Sequence, residues 1–198
     1  MVELAKTVHE ERQGAHDSSR SSRGVTYTTP SSLQHSEQRV GVFVDVQNLY
    51  YSAKNVYGAK VNFRNILRAA VGRRKLVRAI AYVIRADVKD EHNFFDALEN
   101  IGFEAKSKDL QVFFGGAKKG DWDIGIAMDT IELAPKLDTI VLVSGDGDFQ
   151  PLVQHLRRAM GCRVEVVAFG KSASSKLVEE ADSFLDLDGS PAKFLMRS

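Results

Sequence analysis

Acidic side chains recur in three short stretches of this chain: FVDVQNLYY (43–51), KKGDWDIGIAMD (118–129) and LVSGDGDFQPLV (142–153). Asp45 closes one apolar run, Asp146 and Asp148 follow another at once, and Asp123 opens a segment with helical spacing. Carboxylates that share a pocket repel one another and raise each other's pKa, a cost that cations offset. With hard oxygen donors and no cysteine or histidine in the three stretches, the chemistry suits Mg2+ or Mn2+ rather than zinc. A plainer reading exists for each acid alone: Asp-Gly makes ordinary turns, and Asp121 or Asp123 could simply cap a helix. The combination with Asp45 favours a site.

Such acids need elements to bring them together. VGVFVD (40–45), VRAIAYVI (77–84), TIVLV (139–143), CRVEVVAFG (162–170) and FLDL (184–187) read as strands, with 103–115 as one strand followed by a loop. Helical spacing runs through 62–71, 92–102, 121–134, 150–161 and 174–181. In 121–134 it points Ile124, Ala127, Met128 and Ile131 inward. Five or six strands alternating with helices predict an α/β domain, its mostly parallel sheet covered on both faces. Ligands bind such sheets at the carboxyl ends of the strands, where strand order reverses. The acid-bearing loops are therefore expected at one edge.

The rest of the chain sets limits. Its 198 residues suffice for one domain, expected over 39–188, and the formal net charge of +1 gives no global basic field. Basic residues cluster at Arg73–Lys75, at Lys118 and Lys119, and at Arg157 and Arg158. Lys118 and Lys119 adjoin Asp123 and are the candidates for phosphate; the others read as solvated surface. Residues 1–38, Ser/Thr/Arg-rich over 18–32, are expected to be a disordered tail, and 189–198 a second loose end. Trp122 is expected to pack beneath the site. Tyr50 and Tyr51 could stack on bases, with at least one of them expected in the core. Cys162 is the one cysteine, so no internal disulfide forms, and no apolar run is long enough to span a membrane. A cytoplasmic location is expected.

Together and in this order, the three stretches resemble the NYN domain family of PIN-like nucleases, in particular its bacterial LabA-like branch, over roughly 40–187. The resemblance implies a three-layer Rossmann-like (PIN-like) fold and divalent-metal-dependent hydrolysis of RNA. Asp45 matches the family's acid after the first strand and Asn48 its nearby asparagine. Asp123 matches the acid opening the central helix, Asp129 the acid further along it, and Asp146 and Asp148 the S-G-D-x-D pair. The implied catalytic and metal residues are thus Asp45, Asp123, Asp146 and Asp148, with Asn48, Ser144, Asp129, Lys118 and Lys119 binding substrate. Two metal ions ~3.5–4 Å apart would activate water and stabilise the leaving 3′-oxygen, and a one-metal version fits the same residues. The expected partners are single-stranded RNA and a second copy of the chain in a homodimer, with no membrane. A haloacid-dehalogenase phosphatase would want an acid where Gln47 stands, and a dinucleotide fingerprint a glycine where Gln150 stands. The alternative is a non-cleaving RNA-binding or regulatory module on the same fold.

Overall fold

Continuous apolar runs such as VGVFV and TIVLV can be buried on both faces, which is what central strands of a parallel sheet require. The computed structural model describes residues 36–85, 91–109, 111–112, 118–119 and 121–196. In chain order the elements are β1 (Arg39–Asp45), α1 (Val46–Tyr57), β2 (Lys60–Val61), α2 (Phe63–Val71), β3 (Lys75–Arg85) and α3 (Glu91–Ile101). Then follow β4 (Glu104–Asp109), β5 (Gln111–Val112), β6 (Lys118–Lys119), α4 (Asp123–Leu133), β7 (Thr139–Val143) and α5 (Gln150–Arg158). The chain continues through β8 (Arg163–Ala168), α6 (Ser175–Glu180), β9 (Ser183–Asp186), α7 (Pro191–Phe194) and β10 (Leu195–Met196).

Six strands form one sheet in the order β4-β3-β1-β7-β8-β9, and every neighbouring pair is parallel. The order therefore reverses between β1 and β7, the two strands whose ends carry Asp45 and the 144–148 loop. Alternate residues of β1 split between two cores. Val40, Val42 and Val44 pack with Leu49 of α1, Ile66 of α2 and Leu98 of α3. Phe43 packs with Ile126 of α4, Leu156 of α5 and Leu177 of α6 on the other face. Burial of Leu49 and Ile66, each worth roughly 1.5–3 kcal/mol, holds α1 and α2 on the sheet and turns the opposite ridge of α1 outward.

Three expectations are corrected here. The helix over 123–133 buries Ile126, Thr130 and Leu133, while Ile124 and Met128 are exposed. Apolar residues lie on two faces of this helix; on the buried one Thr130 satisfies its hydroxyl within the helix by donating to the Ile126 carbonyl. Arg74 is not solvated surface. Its guanidinium donates to both oxygens of Glu165, at 3.0 and 2.9 Å, and to the carbonyls of Ala70 and Val71. Finally, the C-terminal stretch from Gly189, expected to be loose, is docked. Phe194 is buried, Asn62 donates its N–H to the Phe194 carbonyl at 2.8 Å, and β10 pairs antiparallel with β2. Between β4 and α4, the expected loop contains the antiparallel pair β5–β6. The tail expected over 1–38 lies, up to residue 35, outside the described residues.

Candidate active site

Asp45 ends β1 and caps α1, its carboxylate accepting the Asn48 N–H at 3.1 Å. Its other oxygen accepts the Ser144 hydroxyl at 3.3 Å, and the same Ser144 oxygen accepts the Asp146 N–H at 3.2 Å. Asp146 in turn accepts the Asp148 N–H at 3.0 Å, closing the tight turn of the S-G-D-G-D loop. Asn48 crosses between the two motifs, accepting the Gly145 N–H on its side-chain oxygen at 2.9 Å. Ser144 is 0% exposed, so the substrate contact expected of it is corrected. It is a positioning residue that spends both its donor and its acceptor inside the protein.

The glycine following it is required by space. A Cβ on Gly145 would stand 2.9 Å from the Ala173 Cα, and the Gly145 carbonyl accepts the Ser174 N–H at 2.9 Å. The loop after β7 thus lies flat on the segment after β8, which brings Ser172 to the same edge.

Asp123 arrives from the third direction. It is the first residue of α4, and the cap position belongs to Trp122, which makes no side-chain capping bond. Trp122 packs as expected: its indole N–H donates to the Val83 carbonyl at 2.9 Å and its ring lies 5.3 Å from that of Tyr82. A Cβ on Gly125 would meet that ring at 2.4 Å, so glycine lets the first turn of α4 close over the indole. This fixes where Asp123 enters. Burial raises its pKa first, followed by repulsion from Asp121, Asp146, Asp45 and Asp148, to about 6. Asp45 is also raised, by burial first and with a contribution from Asp146, against the lowering effect of its hydrogen bonds from Asn48 and Ser144.

A cleft of about 390 Å³ opens at this edge, lined by Asp45, Asp123 and Asp146 together with Asp121, Trp122, Asn48 and Ser172. Gln47, Tyr51, Ser52, Asn55 and Val56 of α1 supply one wall. Asp148 is exposed beside the cleft and does not line it, although its charge reaches Asp123. Among the described residues, no three His, Cys, Asp or Glu side chains are already drawn together as a coordination set. The acids share a cleft rather than a closed cage. Asp129 does not line it: its carboxylate accepts the Tyr82 hydroxyl and the Lys106 ammonium, each at 2.7 Å. These two bonds tie α4 to β3 and β4. The side chains of Lys118 and Lys119 lie outside the described residues.

With this geometry in view, the comparisons with known proteins are decisive on one point. The family model for the NYN domain matches residues 39–188. The chain belongs to the NYN domain family. It is 30% identical over 158 residues to the low amplitude and bright protein LabA of Synechococcus elongatus, covering 76% of this chain and 84% of that one. A crystal structure of a protein of unknown function from Vibrio parahaemolyticus superposes with a TM-score of 0.75 at 33% identity, covering 82% of this chain and 99% of that one. NYN domains are generally nuclease-like, and the matched span contains all the acids of the cleft.

Within this NYN domain the sequence reading missed Asp121 as a cleft residue and missed most of the α1 wall. Gln47, Tyr51 and Asn55 are spaced by four, a signal that becomes legible once 46–57 is assigned as a helix. That helix has only a narrow apolar stripe, Val46, Leu49 and Ala53, which hides it from a search for broad amphipathic faces. Ser172 has no local signal at all. It is placed by its hydroxyl bond to Ser52 at 2.9 Å and by Asp186 and Asp188, which accept the Gly170 and Lys171 N–H groups.

Proposed function

We propose that this NYN domain hydrolyses phosphodiester bonds of RNA, with Mg2+ or Mn2+ held by Asp45, Asp123 and Asp146 and with Asp148 beside them. One observation carries the reading: four aspartates from three separate chain segments, Asp45, Asp121, Asp123 and Asp146, line a single cleft where the strand order reverses. The donor set fits a hard divalent cation. It offers carboxylate oxygens, and Asp45 and Asp123 both have proton affinities raised by burial and by neighbouring negative charge. When bound, the metal supplies a water of lowered pKa and positive charge for the non-bridging phosphate oxygens.

The protein's own groups do the positioning. Ser144 and the Asn48 N–H fix the two oxygens of Asp45, leaving its free lone pairs for the cleft. The bonds at Asp146 hold that carboxylate in one turn conformation, so little reorganisation accompanies metal capture. Burial and the neighbouring carboxylates raise the pKa of Asp123 to about 6, so it holds a proton well above the usual carboxylate range. It gives up that proton when a cation replaces it.

The test is incubation of the full chain with single-stranded RNA in Mg2+, Mn2+ or EDTA, with analysis of the product ends. The expected result is cleavage in either metal, none in EDTA, and products bearing 5′-phosphate. RNA that is bound and left intact in every metal would assign the chain to the non-cleaving alternative.

A further inference from the structure

The cleft has a wall that metal chemistry does not use. Along α1, Gln47, Tyr51 and Asn55 recur every fourth residue and line the same cleft as Asp45, Asp123 and Asp146. Their direction is set from behind, because Leu49 and Ala53 of the same helix are fully buried. Tyr51 is 53% exposed, and Tyr50 45%, so neither ring belongs to the core as the sequence had suggested. Tyr50 stands edge-on to Tyr51, ring centroids 5.4 Å apart and planes at 72°, with the Lys54 ammonium 5.6 Å from the Tyr50 ring on its own side. Tyr50 does not line the cleft. Tyr51 thus has one aromatic neighbour outside the cleft lining and is itself half exposed where it lines the cleft. Among the described residues, the side-chain amides of Gln47 and Asn55 have no hydrogen-bond partner.

We propose that this strip is a base-binding subsite: an unpaired nucleobase stacks on Tyr51, flanked by the Gln47 and Asn55 amides, while its phosphate lies over the acids. The proposal rests on the nucleic-acid reading of the same cleft and narrows it to strands with an unstacked base beside the reacting phosphate. Three chemical features point to a base rather than to another ligand. A base has a π face for the ring, whatever its identity, so stacking tolerates sequence. Its edge carries donors and acceptors side by side, which a carboxamide matches in bidentate fashion. The remaining wall is acidic, which suits a phosphate only through a cation and excludes an acidic peptide. A base inside a duplex has both faces occupied, so a paired strand cannot use Tyr51.

The experiment measures equilibrium binding of the full chain to a labelled oligoadenylate in Ca2+, and to the same backbone carrying abasic residues in place of adenosines. Wild type, Tyr51→Ala, Tyr51→Phe and Gln47→Ala/Asn55→Ala are compared, with thermal melting to confirm folding. Tyr51→Ala is expected to weaken oligoadenylate binding by about tenfold and leave abasic binding unchanged. Tyr51→Phe should bind as wild type, since the face is retained, and the amide variant should lose a smaller part. Equal losses on both strands would show that Tyr51 only supports the helix and would overturn the subsite. Unchanged binding in Tyr51→Ala overturns it as well, as does a wild type that fails to prefer the base-bearing strand. Cleavage is scored separately in Mg2+. Base-dependent binding without cleavage leaves the subsite standing and removes the nuclease reading, whereas cleavage with base-independent binding does the reverse.

Discussion

The side-chain oxygen of Asn48 accepts the backbone N–H of Gly145 at 2.9 Å across 97 residues of chain. This bond joins the first turn of α1 to the loop after β7, and so the helix capped by Asp45 to the loop carrying Asp146. Gly145 is buried, so its N–H depends on the amide for a partner. Asn48→Ala is therefore expected to cost about 1–3 kcal/mol, the penalty for a buried donor left unpaired. Asn48→Asp keeps an acceptor and should lose less of the brace, while adding charge to the cleft. Urea titrations of the three proteins test this, and equal midpoints would show that the bond bears no load.

Asp146→Asn should abolish metal-dependent cleavage while preserving the fold. The asparagine oxygen can still accept the Asp148 N–H, and its backbone N–H can still reach Ser144. Only charge is lost. Because Asp146 contributes to the raised pKa of both Asp123 and Asp45, its neutralisation relieves repulsion in the metal-free protein. The expected metal-free Tm is equal to or above that of wild type, measured by calorimetry in EDTA. A Tm lower by many degrees would mean that the turn needs the carboxylate for structure.

Much of this site was legible from strand ends. Asp45 and the 144–148 loop follow apolar runs that must be parallel strands, and a parallel sheet with reversing order has one edge for ligands. The direction of α4 was not legible, because both of its faces carry apolar residues and the choice depends on Trp122 reaching the Val83 carbonyl of a distant strand. Asp129 illustrates the same limit. Its sequence position fits a site acid, and nothing local to it signals the bonds that Tyr82 and Lys106 make to its carboxylate.

Metal-free stability should carry the signature of Asp123. Its folded pKa is raised from the ordinary 3.8 to about 6, by burial first and then by Asp121, Asp146, Asp45 and Asp148. Between those two values the folded chain binds more protons at this site than the unfolded chain. The stabilisation from protonation is complete below the unfolded value and is lost as pH rises through the folded one. The Tm of Asp123→Asn minus that of wild type, in EDTA, should therefore widen from about pH 4 to about pH 6 and level off above. Asp45, raised in the same direction, adds a component that this variant does not remove. A difference that stays flat across that range would mean that Asp123 titrates as an ordinary carboxylate.

Arg74 tests the frame that holds the sheet behind the site. Its side chain is 1% exposed and that of Glu165 11%, and the pair ties the end of α2 to β8. Breaking a buried pair leaves an uncompensated charge, which costs about 3–5 kcal/mol. Arg74→Met should lose about that much by urea titration. Glu165 also accepts Arg163, which softens the loss. The double variant Arg74→Met/Glu165→Leu should recover part of it, because neither charge is then stranded. A double variant no more stable than the single one would show that a stranded Glu165 charge is not the source of the loss.

The RNA binding proposed for a chain of net charge +1 would have to draw on local cations. Lys118 and Lys119 form β6, a short strand that pairs with β5 and precedes Asp121 and Asp123. Three of the other clustered arginines are already engaged. Arg74 is buried against Glu165, and Arg157 and Arg158 are paired with Glu180, Arg157 also with Asp182. Replacing Lys118 and Lys119 with alanine should weaken binding and flatten its dependence on salt, since each phosphate contact on a single strand contributes roughly 0.7 to the log–log slope. Cleavage at saturating RNA should fall less, because the acids of the cleft are untouched. Binding titrations at several salt concentrations, for wild type and the double variant, give the two slopes. Coincident slopes would remove the lysines from the RNA path and turn attention to Arg73 and Lys75, which are exposed on either side of Arg74.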